Sequence, residues 1–231
     1  WDFLFIDRNF EPAIDQAFAD SLARVRFPVI LGAASDPGLP EPGLQSDGEK
    51  ESVLPPLASV SATPRLAALP DRLAAKIPLA NLRAASLTTF IDAEADADGV
   101  VRRLPLIVRI GDAIYPSLVL QSLLTRWELG PAAVDIIPGD CLILRRATRE
   151  LARIPIDANG EYQLNYRYEH QSETNPEGVP TLGYWQIYEP LMNRYLAGDA
   201  TAPLPLTGGK ILLVGQVASG LTDIGPSPLE G

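Results

Sequence analysis

The chain has 231 residues, 46% of them hydrophobic, and a formal net charge of −10. A surface that acidic repels phosphate backbones and anionic lipid headgroups, so nucleic acid is not an expected partner. With one cysteine (Cys141) and one histidine (His170), the chain has no internal disulfide, no Cys/His zinc cluster and no histidine placed for a serine triad.

Asp2 to Ile6 reads as a short buried strand, and Pro12 opens an amphipathic helix with Ile14, Phe18, Leu22 and Val25 on one face. Phe27 to Leu31 is a second apolar strand, followed by Gly32. Strand, helix and strand within about thirty residues form the βαβ pattern, which predicts a parallel sheet with the helix packed over it. The Asp-, Pro- and Gly-rich stretch 35–52 reads as a surface loop, and prolines between Val53 and Pro78 divide the apolar pairs into short turns and extended pieces. A strand at Leu87 to Ile91, the acidic turn Asp96-Ala97-Asp98-Gly99 and the apolar run Val100 to Ile110 predict a hairpin, with Pro105 marking an edge or a strand start.

Pro116 to Trp127 is a second helix, apolar enough to be largely buried, and no run of eighteen apolar residues reads as a membrane span. Cys141 to Arg145 and Arg153 to Ile156 are short strands. The turn Asp157-Ala158-Asn159-Gly160 then leads into Glu161 to Arg167, which alternates strictly with the period of a half-buried strand. Tyr184 to Leu196 is helical with a break expected at Pro190, and Tyr184, Trp185 and Tyr188 share a spacing suited to core packing or a dimer face. Lys210 to Gly215 reads as a buried strand. These elements predict an α/β fold with a mixed, mainly parallel sheet covered by helices and added antiparallel hairpins. They are expected to form a single domain over residues 1–231 with a β-rich insertion at 136–168.

Asp7 lies near a strand end, where parallel sheets carry ligand sites, or it simply begins the turn before the helix. Asp98 with Arg102 and Arg103 can recognise a small anion through an arginine fork, or it can clamp the turn to its own strand. Adjacent strand residues face opposite sides, so one of the two arginines is expected to point away, and the internal clamp is the favoured reading. The segment Gly215 to Asp223 lacks the Gly-Lys-Ser/Thr of a phosphate loop. Its Gly215, Ser219 and Gly220 still suit a turn rich in free N–H groups, capped by Asp223, that holds an anion or serves packing alone. Asp92, Glu94, Asp96 and Asp98 alternate like a loop for a hard cation but lack the downstream bidentate Glu, so no metal site is assigned.

Three of these runs together carry a resemblance. Asp96-Ala97-Asp98-Gly99-Val100-Val101-Arg102-Arg103 fits an Asp-x-Asp-Gly-x-x-Arg-Arg turn and strand. Gly209-Lys210-Ile211-Leu212-Leu213-Val214-Gly215, with small residues and Gly220-Leu221-Thr222-Asp223 after it, fits a Gly-Lys-Ile/Val-x-Leu-Val-Gly strand and a Gly-x-x-Asp turn ahead of a proline. Trp1-Asp2-Phe3-Leu4-Phe5 fits a Phe-Asp strand. In their order along the chain they resemble the CHASE type-2 family, the extracytoplasmic sensory domains of bacterial cyclases and histidine kinases.

The resemblance implies the signal-input domain of a bacterial inner-membrane receptor, on the periplasmic side, with no covalent chemistry and no cofactor of its own. It implies a homodimer that answers a small molecule or a protein and relays to a cytoplasmic cyclase, diguanylate cyclase or histidine kinase. Family members usually add a β-α unit before the Phe-Asp strand and an apolar helix after the final proline. The chain is therefore expected to be the middle of a longer, membrane-tethered receptor. Two other classes stay open. One is a periplasmic metal-dependent hydrolase or transferase built on Asp7, Asp98 and Asp223; the other is a structural or partner-binding dimerisation module with an exposed apolar patch.

Overall fold

The computed structural model describes residues 11–36, 56–72, 74–166, 180, 182–196 and 211–214. The strand expected at Asp2 to Ile6 and most of the loop 35–52 lie outside them. The chain divides into two compact units, Trp1–Leu164 with Leu213–Gly231, and Asn165–Leu212.

In the larger unit the order is α1 (Pro12–Arg24), β1 (Ile30–Asp36), β2 (Ala58–Ser59), β3 (Ala74–Lys76), α2 (Ala80–Ala84), β4 (Leu87–Phe90), β5 (Arg103–Pro105), β6 (Ile107–Ile110) and β7 (Ala113–Pro116). It continues with α3 (Leu118–Arg126), β8 (Val134–Ile137), β9 (Cys141–Arg146), β10 (Arg149–Pro155) and β11 (Glu161–Gln163). Pro12 starts α1, with Asp15 in its first turn and Arg24 in its last, each complementing the helix dipole. Its Ala19 and Leu22 are buried with Leu31 and Leu82. β1 begins at Ile30 rather than Phe27: Pro28 cannot donate to a ladder, and Phe27 is exposed.

Four small sheets replace the expected mainly parallel one. Their orders are β3-β1-β4, β10-β9-β8, β11-β5 and β2-β7-β6. Among the described residues only β1 and β4 run parallel; the other pairings are antiparallel. Connection length explains the difference. Gly111-Asp112 joins β6 to β7, and Ala147-Thr148 joins β9 to β10. Links this short can only turn a strand back on itself, whereas a parallel crossover needs a dozen residues or more.

The hairpin expected between Leu87–Ile91 and Val100–Ile110 does not form. β4 takes β1 as its neighbour, β5 pairs with β11, and β6 pairs with β7. Pro105 ends β5 and Leu106 separates it from β6, and each half finds its own antiparallel partner.

The main core gathers Leu66, Leu106, Ile114, Leu120, Leu142 and Leu144, all at most 3% exposed. α3 contributes Leu120 and Leu124, one turn apart, and the Ser117 hydroxyl accepts the Leu120 N–H to cap its start. Thr89 Oγ1 donates to the Pro116 carbonyl, which ties β4 to the β7–α3 junction.

In the smaller unit α4 (Tyr184–Leu196) runs through Pro190 instead of breaking there. Proline removes one N–H donor, and turns close on both sides of it, with the Trp185 and Tyr188 rings edge-on at 5.2 Å. Residues 211–214 do not form the buried strand expected from Lys210 to Gly215. Ile211, Leu212 and Leu213 are exposed, since a buried strand needs ladder partners and no described strand offers one.

Candidate functional site

The acidic turn and the later Asp157 turn are the same device used twice. In the first, the Asp96 N–H donates to the Val100 carbonyl and the Gly99 N–H to the Asp96 carbonyl, both at 2.9 Å. In the second, the Asp157 N–H donates to the Glu161 carbonyl at 3.0 Å and the Gly160 N–H to the Asp157 carbonyl at 3.1 Å. Both end on a glycine in the left-handed region, Gly99 at φ 81° and Gly160 at φ 82°. β5 and β11, which follow the two turns, pair antiparallel, so the turns lead into opposite ends of this short ladder, and the Arg103 side chain spans them, 3.0 Å from Asp96 and 3.9 Å from Asp157.

Arg102 holds Asp98 with two parallel bonds of 2.9 and 2.7 Å and reaches Asp96 Oδ2 at 2.9 Å. Arg103 binds Asp96 Oδ1 at 3.0 Å and lies 3.5 Å from Glu161 Oε2. Contrary to the alternation argument, both arginines converge on Asp96. Arg102 precedes β5, so the strand pleat does not separate the two, and long side chains close the remaining distance. The Arg102 fork holds the Asp98 carboxyl down at about 2, with the Val100 N–H adding to the effect. Both arginines also depress Asp96. Asp98, Arg102 and Arg103 therefore form an internal clamp together with Asp96.

Beside the second turn, lined there by Asn159 and Glu161, lies a cavity of about 250 Å³. Leu69, Pro70, Pro105, Ile107 and Val108 supply its apolar wall. Its polar side is Ser35 from the end of β1, Asp92 just beyond β4, Glu94, Arg72 and Glu161. Asp92 Oδ1 accepts the Ser35 N–H at 2.7 Å, while Asp92 Oδ2 and Ser35 Oγ are buried without a hydrogen-bond partner among the described residues. Burial pushes the Asp92 carboxyl above its ordinary value, against the opposing pull of the Ser35 groups and the Arg72 charge. Glu161 is raised as well, first by burial and then by the nearby Asp157 charge.

The two guanidiniums of the lining differ. Arg109 donates to the carbonyls of Ala67, Leu69 and Gly111, which fixes it as a structural strut. Arg72 is mostly buried, and its ion-pair partner is Glu94, at 2.6 Å and more than half exposed.

The alternating carboxylates thus serve separate partners: Asp92 binds Ser35, Glu94 binds Arg72, and Asp96 and Asp98 bind the arginine pair. Among the described residues no group of three or more His, Cys, Asp or Glu is arranged to hold a metal ion. Asp7, Gly215, Ser219, Gly220 and Asp223 lie outside the described residues. Sequence reasoning missed Ser35, Arg72 and Glu161. The signal for Ser35 and Asp92 was the carboxyl end of a parallel strand pair, here β1 and β4.

A family model for the CHASE2 domain matches residues 1–230, essentially the whole chain. The chain belongs to the CHASE2 domain family. CHASE2 domains are extracellular sensory domains, so the pocket and clamp belong to a sensory module. No curated protein and no solved structure gave a significant match. No helix among the described residues of this CHASE2 domain is long and apolar enough to cross a membrane.

Proposed function

We propose that this CHASE2 domain is the signal-input part of a bacterial transmembrane receptor and that the cavity between the ends of β1 and β4 and the Asp157–Gly160 turn is its input site. The observation that carries the reading is a pair of buried polar atoms without a hydrogen-bond partner among the described residues, Asp92 Oδ2 and Ser35 Oγ, at the carboxyl ends of the one described parallel strand pair. Buried polar atoms are ordinarily hydrogen-bonded, and a small ligand supplies the donors they lack. The domain does no covalent chemistry. Ligand favours one arrangement of a homodimer over another, and the shift is relayed to a cytoplasmic cyclase, diguanylate cyclase or histidine kinase.

The clamp supports the reading by fixing one rim of the cavity. Arg103 of β5 lies 3.5 Å from Glu161, a lining residue at the start of β11, and also binds Asp96, which ties the first turn to that rim. Native mass spectrometry of the chain purified without denaturation tests the assignment. A small molecule is expected on the wild type, lost on unfolding and absent from Arg72→Ala. A wild-type chain that carries nothing, even after incubation with a soluble metabolite extract, contradicts it.

A further inference from the structure

We propose that the cavity binds a small zwitterion, a molecule of a few heavy atoms with one primary ammonium, one carboxylate and a short aliphatic body. The inference rests on the cavity being the input site and adds the class of ligand.

Charge comes first. The lining holds three carboxylates, Asp92, Glu94 and Glu161, against two guanidiniums, Arg72 and Arg109. Arg109 is committed to three backbone carbonyls. An anion such as phosphate or a dicarboxylate would therefore enter a site with an excess of negative charge, so the ligand must bring a cation. A primary ammonium has three N–H donors, and Asp92 Oδ2 and Ser35 Oγ are two buried oxygens that have no hydrogen-bond partner among the described residues and can accept them. The ammonium charge also offsets the cost of keeping the Asp92 carboxylate ionised where it is buried.

Arg72 supplies the other half. It is the lining guanidinium whose partner can be exchanged, because Glu94 is more than half exposed and can turn out into solvent without being left buried and unpaired. A ligand carboxylate would displace Glu94 and take the guanidinium fork. Size and walls set the rest. A volume of about 250 Å³ is below the range of about 300–1,000 Å³ typical of drug-sized ligands, and Leu69, Pro70, Pro105, Ile107 and Val108 add apolar surface to the lining.

Calorimetric titration of the 231-residue chain with glycine, L-alanine, β-alanine and L-valine, alongside ethylammonium and propionate, tests the class. At least one zwitterion is expected to bind ten-fold or more tightly than either single-charge probe. Asp92→Asn and Arg72→Gln should each weaken it at least ten-fold, with thermal melting confirming that both variants fold. Glu94→Gln should tighten it, because a competing carboxylate is removed; a purely structural Glu94 gives no such gain.

Propionate binding as well as the best zwitterion overturns the proposal, as does ethylammonium binding that is equally tight and indifferent to Arg72→Gln. Silence from every probe overturns it too. In that case, a different molecule released from the wild type in native spectra, but not from Arg72→Ala, leaves the input site standing without this ligand class.

Discussion

Replacing Gly160 with alanine probes how tightly the second turn is seated on the cavity wall. Gly160 is buried at φ 82°, and a Cβ there would lie 2.6 Å from Ile107 Cγ1 and 3.4 Å from Leu69 Cδ2. Gly111, in the β6–β7 turn, has φ 59° but nothing within 4 Å of the same added atom. Forcing an L-residue into the left-handed region costs about 1–2 kcal/mol at either position. Only Gly160→Ala adds the overpacking cost, about 1–3 kcal/mol, because Ile107 is itself buried and can give way only by disturbing the core.

Gly111→Ala should therefore lose about 1–2 kcal/mol and Gly160→Ala about 2–5 kcal/mol. With a urea slope of about 1–3 kcal/mol/M, the two unfolding midpoints should differ by roughly 1 M. Urea titration followed by circular dichroism reads this directly. Equal midpoints for the two variants would show that the turn does not press on Ile107, and the described shape of the cavity floor would be wrong.

Ala147, exposed between β9 and β10, holds φ 53°, so Ala147→Gly should stabilise the chain by about 1 kcal/mol, seen as a higher urea midpoint. The Asp98 carboxyl, held at about 2 against an ordinary 3.8, contributes stability that is present above 3.8 and lost as pH falls through about 2. Carboxyl NMR titration should show that depressed value in the wild type and its return toward 3.8 in Arg102→Gln. Asp92 has the opposite sign. Its folded value is raised, so its contribution is full below 3.8 and lost as pH rises through the folded value; Asp92→Asn should therefore melt higher than the wild type at pH 7 while losing ligand. Pro190→Ala should restore one backbone hydrogen bond in α4 and increase far-UV helicity.

What the sequence revealed was mostly local. Asp96-Ala97-Asp98-Gly99 and Asp157-Ala158-Asn159-Gly160 announce their turns through residues that bond their own backbone and accept positive φ. The amphipathic face of α1 and the cap of α3 are similarly contained in a few consecutive residues. Pairing was the harder question. The β4 strand was visible in Leu87-Thr88-Thr89-Phe90, but its choice of β1, 57 residues before it (Leu87 against Ile30), depends on packing that no short window records.

The site followed the pairing. The rule that ligands sit at the carboxyl ends of parallel strands pointed to Asp7 while the parallel neighbours were unknown; with β1 and β4 as the pair, it points to Ser35 and Asp92. Arg72 sits in a proline-rich stretch with no local pattern to mark it. Its significance appears only when the cavity places it between Asp92 and Glu94.

The most direct measurement is the output activity of the proposed full-length receptor, recorded in membranes over a range of applied metabolites for wild type and for Asp92→Asn and Arg72→Ala. The account predicts a saturable wild-type response that both variants lose while reaching the membrane and folding normally. Variants that respond with wild-type sensitivity would contradict it, because the stimulus would then enter the domain somewhere other than this cavity.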